Sequence, residues 1–476
     1  MTRQNDLGTQ TGVVIGTETS REDRVAELNE RYALAEIGSY KRDTLVVEFS
    51  ADGDVVGLRE FAAFKRHLYQ EPDVEVPGSD GSKRVPIADY WLRHEDARKY
   101  DALVFAPPGS AITVGKREYN TWRGLAVTPE PADWSLNRYH IRDVICGGNE
   151  QYERWMHNWI AALVQRPGEH GWVAPVLKGG QGIGKGYFAH HQLGGMFRDA
   201  NYAHLTSPGH LTGDFNSHLE NRVYVFADEV VWGDRKVADR LKGLITESDI
   251  MINKKHVPQE IQKSSLHIVI ASNAEKPMPV ERDDRRLFVL QVAEIHKQDQ
   301  EYFEALLEEL NNGGRASMLD YFLSYEVDWN LLRTPPDTDA KREMKVASLS
   351  AEDEWWLDVL TTADEESWAG WETKIGRAFV VSRYSAWFDT FQPRSSKKTV
   401  TGLGNYFARH FKAGGMPSWP HDGGKVPRHD GENKRDNSWV FPSLAECRVA
   451  FDSATGTRNT WPDDNNDSAT ATAKAA

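Results

Sequence analysis

The sequence predicts an α/β protein with a mostly parallel central sheet, preceded by a small α+β and helical region and followed by a basic domain. Strand and helix patterns alternate between residues 172 and 292, and the strand runs are apolar throughout, as in sheets that are buried on both faces. A glycine-rich segment separates one of these strands from the next helix. At 476 residues, the chain is long enough for about three domains.

Composition and pattern divide the chain into six segments. Thr44–Phe49 and Val55–Leu58 are β-rich runs around the turn sequence Ala-Asp-Gly-Asp, which predicts a hairpin near the start. The predicted segments are a flexible leader (1–24), a small α+β domain (25–110), a helical subdomain (111–170), the α/β core (171–335), a basic domain (345–461) and a disordered tail (462–476).

Charge is distributed unevenly along the chain. The formal net charge is -14, yet residues 373–450 hold 13 Lys and Arg against 6 acids. That region therefore carries +7 and the remainder carries -21, which indicates that one end of the molecule meets an anionic partner. The two cysteines exclude a disulfide framework. With neither a signal peptide nor an apolar span, the sequence predicts a soluble, cytoplasmic protein without a membrane partner.

The glycine-rich segment has the pattern of a phosphate-binding loop. Its glycines allow the backbone N–H groups to point at phosphate oxygens, and its lysine reaches the β- and γ-phosphates. Gly186 stands where Ser or Thr usually coordinates Mg²⁺, and a purely structural glycine turn is the alternative. The candidate residues are Gly179, Gly180, Gln181, Gly182, Ile183, Gly184, Lys185 and Gly186.

Polar residues also follow two later strands. Asp228 and Glu229 end the run Val-Tyr-Val-Phe-Ala, where the first carboxylate suits Mg²⁺ and the second suits activation of the attacking water. Asn273 ends the run Leu266–Ser272 and is placed to orient that water or sense the γ-phosphate. An acid pair at an ordinary strand end is the alternative, but the preceding loop favours a nucleotide site.

Two adjacent arginines precede the next apolar strand. Arg285 and Arg286 come directly before Leu287-Phe-Val-Leu, and either guanidinium could reach the γ-phosphate of a neighbouring subunit. The alternative is a pair of surface arginines bridged to Asp283 and Asp284.

Together these motifs resemble the helicase part of the viral and phage primase-helicases of superfamily 3, of the poxvirus type. The resemblance covers about residues 90–295, including Tyr119-Asn-Thr-Trp-Arg-Gly, and rests on the order and close spacing of the motifs. It implies a P-loop ATPase core of AAA+-like type that uses ATP and Mg²⁺. It also implies a homohexamer that translocates on single-stranded or forked DNA, and a phage or mobile-element origin in a bacterial host.

In that family a hairpin between the acidic pair and the Asn carries basic residues to the DNA backbone. Here Lys254, Lys255 and His256 lie at the tip of an alternating apolar and polar segment. Directed into a ring pore, such a tip would bind phosphates by charge without reading sequence. A solvated turn is the alternative.

The basic C-terminal domain interleaves aromatic residues with Lys and Arg. A winged-helix DNA-binding fold is one option, with Lys397, Lys398 and Arg409 at phosphates. Burial in a core is the commoner use of Trp and Phe, so most of the aromatics are expected to pack internally.

Two other functions compete with a helicase. The carboxylates of Asp52 and Asp54 could bind the two metals of a primase-polymerase, although Asp-Gly between two strands indicates a hairpin turn. The polymerase is then absent or encoded separately, as a partner, and the chain is the remnant of a primase-polymerase/helicase. The other alternative is a replication initiator that binds DNA and nucleotide without unwinding.

Overall fold

The chain divides into two units, residues 1–124 and 125–476. The computed structural model describes residues 20–38, 43–78, 81–229, 235–254, 259–274, 280–363, 368, 371–392, 396–428, 434–459 and 461–462. Most of the predicted leader (1–24) and tail (462–476) lies outside these residues. The segment 111–124 belongs to the first unit, beyond the predicted end of the α+β domain at 110. None of the described helices is long and apolar enough to cross a membrane.

The first unit is an α+β fold around a four-stranded sheet with the order β3-β2-β1-β6. Its helices are α1 (Arg21–Arg31), α2 (Phe61–His67) and α3 (Ile87–Arg93). Its strands are β1 (Tyr32–Ile37), β2 (Asp43–Phe49), β3 (Val55–Arg59), β4 (Val74–Gly78), β5 (Gly81–Val85), β6 (Lys99–Tyr100), β7 (Ala102–Val104) and β8 (Glu118–Asn120). The buried rings of Tyr32, Phe64 and Trp91 belong to its core.

The predicted hairpin in this unit is confirmed. β2 and β3 pair antiparallel, and the turn between them is closed by Ser50 N–H donating to the Asp54 carbonyl at 2.9 Å. Gly53 in that turn has φ +80°, a conformation that favours glycine. The turn therefore accounts for the glycine at 53 without any metal binding.

The second unit contains the parallel sheet and the helices around it. Its first α-helices are α4 (Ser135–Tyr139), α5 (Glu150–Gln165), α6 (Pro208–Thr212), α7 (Arg235–Thr246), α8 (Gln300–Glu309), α9 (Arg315–Ser324) and α10 (Asp339–Ala347). Its next strands are β9 (Ala174–Lys178), β10 (Tyr202–Leu205), β11 (Tyr224–Ala227), β12 (Asp249–Ile252), β13 (Glu260–Lys263), β14 (His267–Ser272) and β15 (Leu287–Gln291).

Five of these strands form one parallel sheet in the order β10-β11-β14-β9-β15. Every residue of β11 and β14 is buried, as expected for a sheet with both faces covered. The prediction of a mixed α/β fold with a parallel sheet is therefore confirmed. Because all five strands run in the same direction, the segments that follow β9, β11 and β14 leave the sheet at one edge.

Two short π-helical segments contact or follow the glycine-rich segment at that end of the sheet. His140–Ile145 continues directly from α4, and Tyr187–Leu193 follows the glycine-rich segment and leads into the 3₁₀ turn Gly194–Met196. The sequence pattern predicts a helix over 185–197, and the structure has a helical segment there, π-helical over Tyr187–Leu193 and 3₁₀ over Gly194–Met196.

The C-terminal part of the second unit folds around aromatic side chains. It comprises α11 (Ala351–Thr362), β16 (Lys374–Gly376), the helices Arg377–Phe391 and Val400–Ala413, the hairpin of β17 (His421–Pro427) and β18 (Arg435–Val440), and the helix Leu444–Thr455. The sheet order is β16-β18-β17. Tyr406, Phe407, Phe411, Trp439 and Phe441 are buried, so the prediction that most aromatics pack internally is confirmed.

Candidate functional site

The polar strand-end residues meet at one edge of the parallel sheet. The segment Gly179–Gly186, hereafter the glycine loop, follows β9, while Asp228 and Glu229 follow β11 and Asn273 follows β14. β14 lies between β9 and β11, so Asn273 emerges between the loop and the acidic pair. The glycine loop and these three polar residues line a cleft of about 370 Å³.

The glycine loop has the backbone that its sequence predicts. Gly179, Gly182 and Gly184 have φ of +144°, +73° and +99°, a region that L side chains rarely adopt. A Cβ at Gly184 would overlap the imidazole of His140, whereas one at Gly186 would meet nothing within 4 Å. Gly184 is thus required by both conformation and space, and Gly186 by neither.

Lys185 lies across the loop and joins it to the neighbouring strand end. Its Nζ donates to the Gly179 carbonyl at 2.6 Å, to Asn273 Oδ1 at 2.7 Å and to the Gly180 carbonyl. Burial lowers the pKa of Lys185, while the carboxylates of Asp228 and Glu229 oppose that shift. A cation held by three oxygen acceptors in a cleft can exchange them for the oxygens of an anionic ligand.

The acidic pair differs in backbone and in partners. Asp228 continues the sheet, because its N–H donates to the Leu205 carbonyl at 2.8 Å, and its Oδ2 lies 3.6 Å from His204 Nε2. Glu229 has φ +53°, and its Oε1 is 3.5 Å from Asn273 Nδ2. Glu229 thus departs from the extended backbone of the strand, and its carboxylate contacts the amide of Asn273, whereas that of Asp228 lies beside His204.

His140 contacts the glycine loop, although the sequence gives no signal of it. Its ring is buried, with Nε2 3.3 Å from the Gly184 carbonyl and Nδ1 3.1 Å from the Tyr302 hydroxyl. Burial lowers the pKa of His140 to about 4, so near neutral pH it is uncharged. Only the tertiary fold brings this histidine to the loop, and nothing in the local sequence around 140 signals the contact.

The two arginines lie at the opposite edge of the sheet. Arg286 immediately precedes β15, where its carbonyl accepts from the N–H of Ala174 at the start of β9. The glycine loop begins at the other end of β9, five residues or about 16 Å away. Arg285 is exposed, and the Nε of Arg286 is buried with no hydrogen-bond partner among the described residues. Neither arginine can therefore reach the cleft of its own chain.

The predicted basic tip is only partly described. β12 and β13 form an antiparallel hairpin, which confirms the alternating segment as a β-hairpin. Lys254 at its end pairs with Glu220 at 2.7 Å, while Lys255 and His256 lie outside the described residues. Next to Lys254, Asn253 N–H donates to Asn216 Oδ1 at 2.8 Å and holds this end of the hairpin.

The three predicted DNA contacts of the C-terminal domain have different surroundings. Lys397 pairs with Asp389 at 2.6 Å and Lys398 pairs with Glu352 at 2.9 Å. Arg409 is exposed on the helix Val400–Ala413. Of the three, Arg409 has the environment best suited to a phosphate contact, because the two lysines already neutralise nearby acids.

Comparisons with known proteins give one family and one relative. A family model described as a family of unknown function (DUF5906) matches residues 177–286, which include the glycine loop, Asp228, Glu229 and Asn273. The DNA primase-polymerase of Nitratiruptor phage NrS-1 is 32% identical over 177 residues, covering 36% of this chain and 24% of the relative. The chain thus matches about a quarter of the length of that relative.

Solved structures resemble most of the chain in fold. The apo structure of the NrS-1 C-terminal region (305–718) has a TM-score of 0.61 at 17% identity, covering 88% of this chain and 98% of that one. The A-form apo structure of the same region has a TM-score of 0.55 at 18% identity, covering 77% and 94%. At these identities the likeness shows a shared fold.

Proposed function

We propose that this protein binds and hydrolyses ATP with Mg²⁺ as cofactor, and that it acts in the DNA replication of a phage or mobile element. One observation carries the proposal: Lys185, Asn273 and Glu229 are linked by hydrogen bonds beside a glycine loop with left-handed positions. A glycine turn alone serves many proteins. Its combination with an acid pair and an amide at the carboxyl edge of a parallel sheet favours phosphoryl chemistry.

The residues of the cleft divide the work of hydrolysis. The loop N–H groups donate to the β-phosphate, and Lys185 exchanges its carbonyl acceptors for β- and γ-phosphate oxygens. Glu229 accepts the proton of the attacking water, and Asn273 orients that water. Asp228 would hold Mg²⁺; one carboxylate is a sufficient protein ligand, because phosphates and waters complete its shell. Bound Mg²⁺ neutralises the negative charge that develops on the phosphates.

The role in replication is supported by the likeness to a phage DNA primase-polymerase, over 36% of this chain, and by the shared fold of its C-terminal region. That name specifies priming and polymerisation, so it supports replication more directly than it supports unwinding. We therefore place nucleotide hydrolysis first, with a primase or polymerase as a partner in the host cytoplasm. Translocation on single-stranded or forked DNA by a homohexamer, with Arg286 or Arg285 acting in trans, is the further step of the proposal.

DNA contact in the C-terminal part is supported by its topology and charge. A helix, a strand, two helices and a β-hairpin follow one another there, with sheet order β16-β18-β17, which supports the winged-helix assignment. Residues 373–450 carry the +7 excess, and positive charge of this kind binds phosphates without reading sequence. Arg409, exposed on the second of the two helices, is the contact we favour.

A second function is favoured by the glycine loop itself. Gly186 has no hydroxyl for Mg²⁺, whereas Lys185 and the loop N–H groups remain able to bind phosphates. A replication initiator that binds nucleotide in order to bind DNA, with slow or no hydrolysis and no unwinding, would need no more than this.

ATP turnover with and without single-stranded DNA tests the proposal, using the purified full chain, Lys185→Ala and the matched control Gly186→Ala in the same loop. Turnover that is stimulated by DNA, lost in Lys185→Ala and retained in Gly186→Ala would support it. Turnover together with separation of a forked duplex would extend it to a helicase. ATP binding without turnover would support the initiator, and absence of both would refute a nucleotide site.

A further inference from the structure

One side of the cleft consists of aromatic rings that have no role in the proposed hydrolysis. Tyr187, His191 and Phe303, hereafter the aromatic wall, line the cleft together with the glycine loop. The ring centroid of Tyr187 lies 5.5 Å from that of His191 and 6.1 Å from that of Phe303. All three side chains are only partly buried, so their rings present apolar surface to whatever enters the cleft.

The aromatic wall is held in place from outside the cleft. The Tyr187 hydroxyl donates to Asn137 Oδ1 at 2.9 Å, and Phe303 lies in the first turn of α8, where Asp299 caps the helix by accepting from the N–H of Tyr302. A Cβ on Gly184 would lie 3.1 Å from the Phe303 ring, so this ring packs directly against the loop. Rings fixed in this way lose little further freedom when a flat ligand stacks on them.

The direction of the loop decides which part of a nucleotide would meet the aromatic wall. Lys185 reaches the β- and γ-phosphates, and its hydrogen bond to Asn273 marks the γ-phosphate end of the cleft. Gly186 and Tyr187 start the following helical segment, so the α-phosphate would lie over its first N–H groups. The ribose and base would then continue past Tyr187, one turn from His191 and opposite Phe303.

The charge of the aromatic wall agrees with this order. Burial lowers the pKa of His191, and the neighbouring His190 and Arg315 lower it further, so the imidazole is neutral near pH 7. The three rings are therefore uncharged themselves and offer stacking surface, whereas the other end of the cleft offers the cation of Lys185. The phosphates of a nucleotide need positive charge and its base needs apolar surface, and the cleft offers the two in that order.

We propose that Phe303, Tyr187 and His191 bind the nucleobase of the nucleotide by stacking, which makes the ligand of this cleft a nucleoside triphosphate rather than a bare polyphosphate. The inference rests on the proposed nucleotide site and adds to it the residues that contact the base. Stacking uses the face that every base has, so the wall raises affinity for nucleotides in general.

The test compares ATP with inorganic tripolyphosphate, which has the three phosphates and no base. Isothermal titration with the full chain and Mg²⁺ would give the Kd of each ligand for the wild type, Phe303→Ala and the control Leu307→Ala, which lies one turn further along α8 and is 37% exposed. We expect Phe303→Ala to raise the Kd of ATP by about five- to a hundredfold. The Kd of tripolyphosphate, and both Kd values of Leu307→Ala, should stay within about twofold.

Two results would overturn the inference. An unchanged Kd for ATP in Phe303→Ala would remove stacking, and an equal loss for ATP and tripolyphosphate would make Phe303 a support of Gly184 only. Phe303→Leu keeps bulk against Gly184 and gives the same comparison if the alanine variant does not fold. If the wild type binds tripolyphosphate as tightly as ATP, only the role of the aromatic wall in base stacking is refuted. If it binds neither ligand, the proposed nucleotide site itself is refuted.

Discussion

Alanine substitutions at Gly184 and Gly186 compare a glycine that the loop requires with one that it does not require. Gly184 has φ +99° and faces the ring of His140, whereas Gly186 has φ -65° and ψ -35° with open space around its Cα. Gly184→Ala introduces both backbone strain and steric overlap. Gly186→Ala introduces neither, because alanine adopts its backbone readily.

The magnitudes follow from these two environments. At Gly184, alanine would carry about 1–2 kcal/mol for a positive φ and about 1–3 kcal/mol for overpacking against a buried ring. The reduced entropy of the unfolded chain returns about 0.4–1 kcal/mol. Gly184→Ala should therefore destabilise the fold by about 1–4 kcal/mol, while Gly186→Ala should stabilise it by about 0.4–1 kcal/mol.

Urea-induced unfolding of both variants, together with titration of ATP, measures these effects. Gly184→Ala should also lose ATP binding, because the loop must move to relieve the overlap with His140. Adding His140→Ala to Gly184→Ala tests that contact: the double variant should be less destabilised than the sum of the two single variants. Equal stability and equal ATP affinity of Gly184→Ala and Gly186→Ala would refute the reasoning.

Three further predictions concern catalysis, DNA and pH. Glu229→Gln should bind ATP normally but lose at least a hundredfold in turnover, and normal turnover would assign the base elsewhere. Arg409→Ala should lower the slope of log affinity against log salt for DNA by about one, while Lys397→Ala, whose cation pairs with Asp389, should leave it nearly unchanged; the reverse result would reassign the contact. The free energy of unfolding should fall as the pH is lowered, because burial lowers the pKa of His140, His157 and His267 from 6.5 to about 4 in the folded state. The unfolded chain then binds more protons, so stability is complete above pH 6.5 and is lost towards pH 4, at up to about 1.4 kcal/mol per pH unit for each histidine; a flat profile between pH 7 and 5 would contradict this.

The sequence by itself determined the local elements and the identity of the polar strand ends. Apolar runs at 173–177, 223–227, 266–271 and 287–290 predicted β9, β11, β14 and β15 to within one residue at each end, because burial on both faces requires such runs. The loop glycines predicted a tight backbone turn, and the structure places Gly179, Gly182 and Gly184 at positive φ, which few other residues adopt. Both signals are short-range and can be read without knowing the neighbours of a segment.

Only the tertiary structure decided which of these residues meet. The order β11-β14-β9 brings Asn273 to Lys185 although they are 88 residues apart, and the packing of α4 and α8 brings His140 and Phe303 to the loop. The same long-range packing pairs Lys398 with Glu352 of α11 and puts Arg286 at the far edge of the sheet. Sequence patterns indicate which side chains are buried and whether they repeat with the period of a helix or a strand. The partner of a charged side chain depends instead on which distant segments the fold brings together.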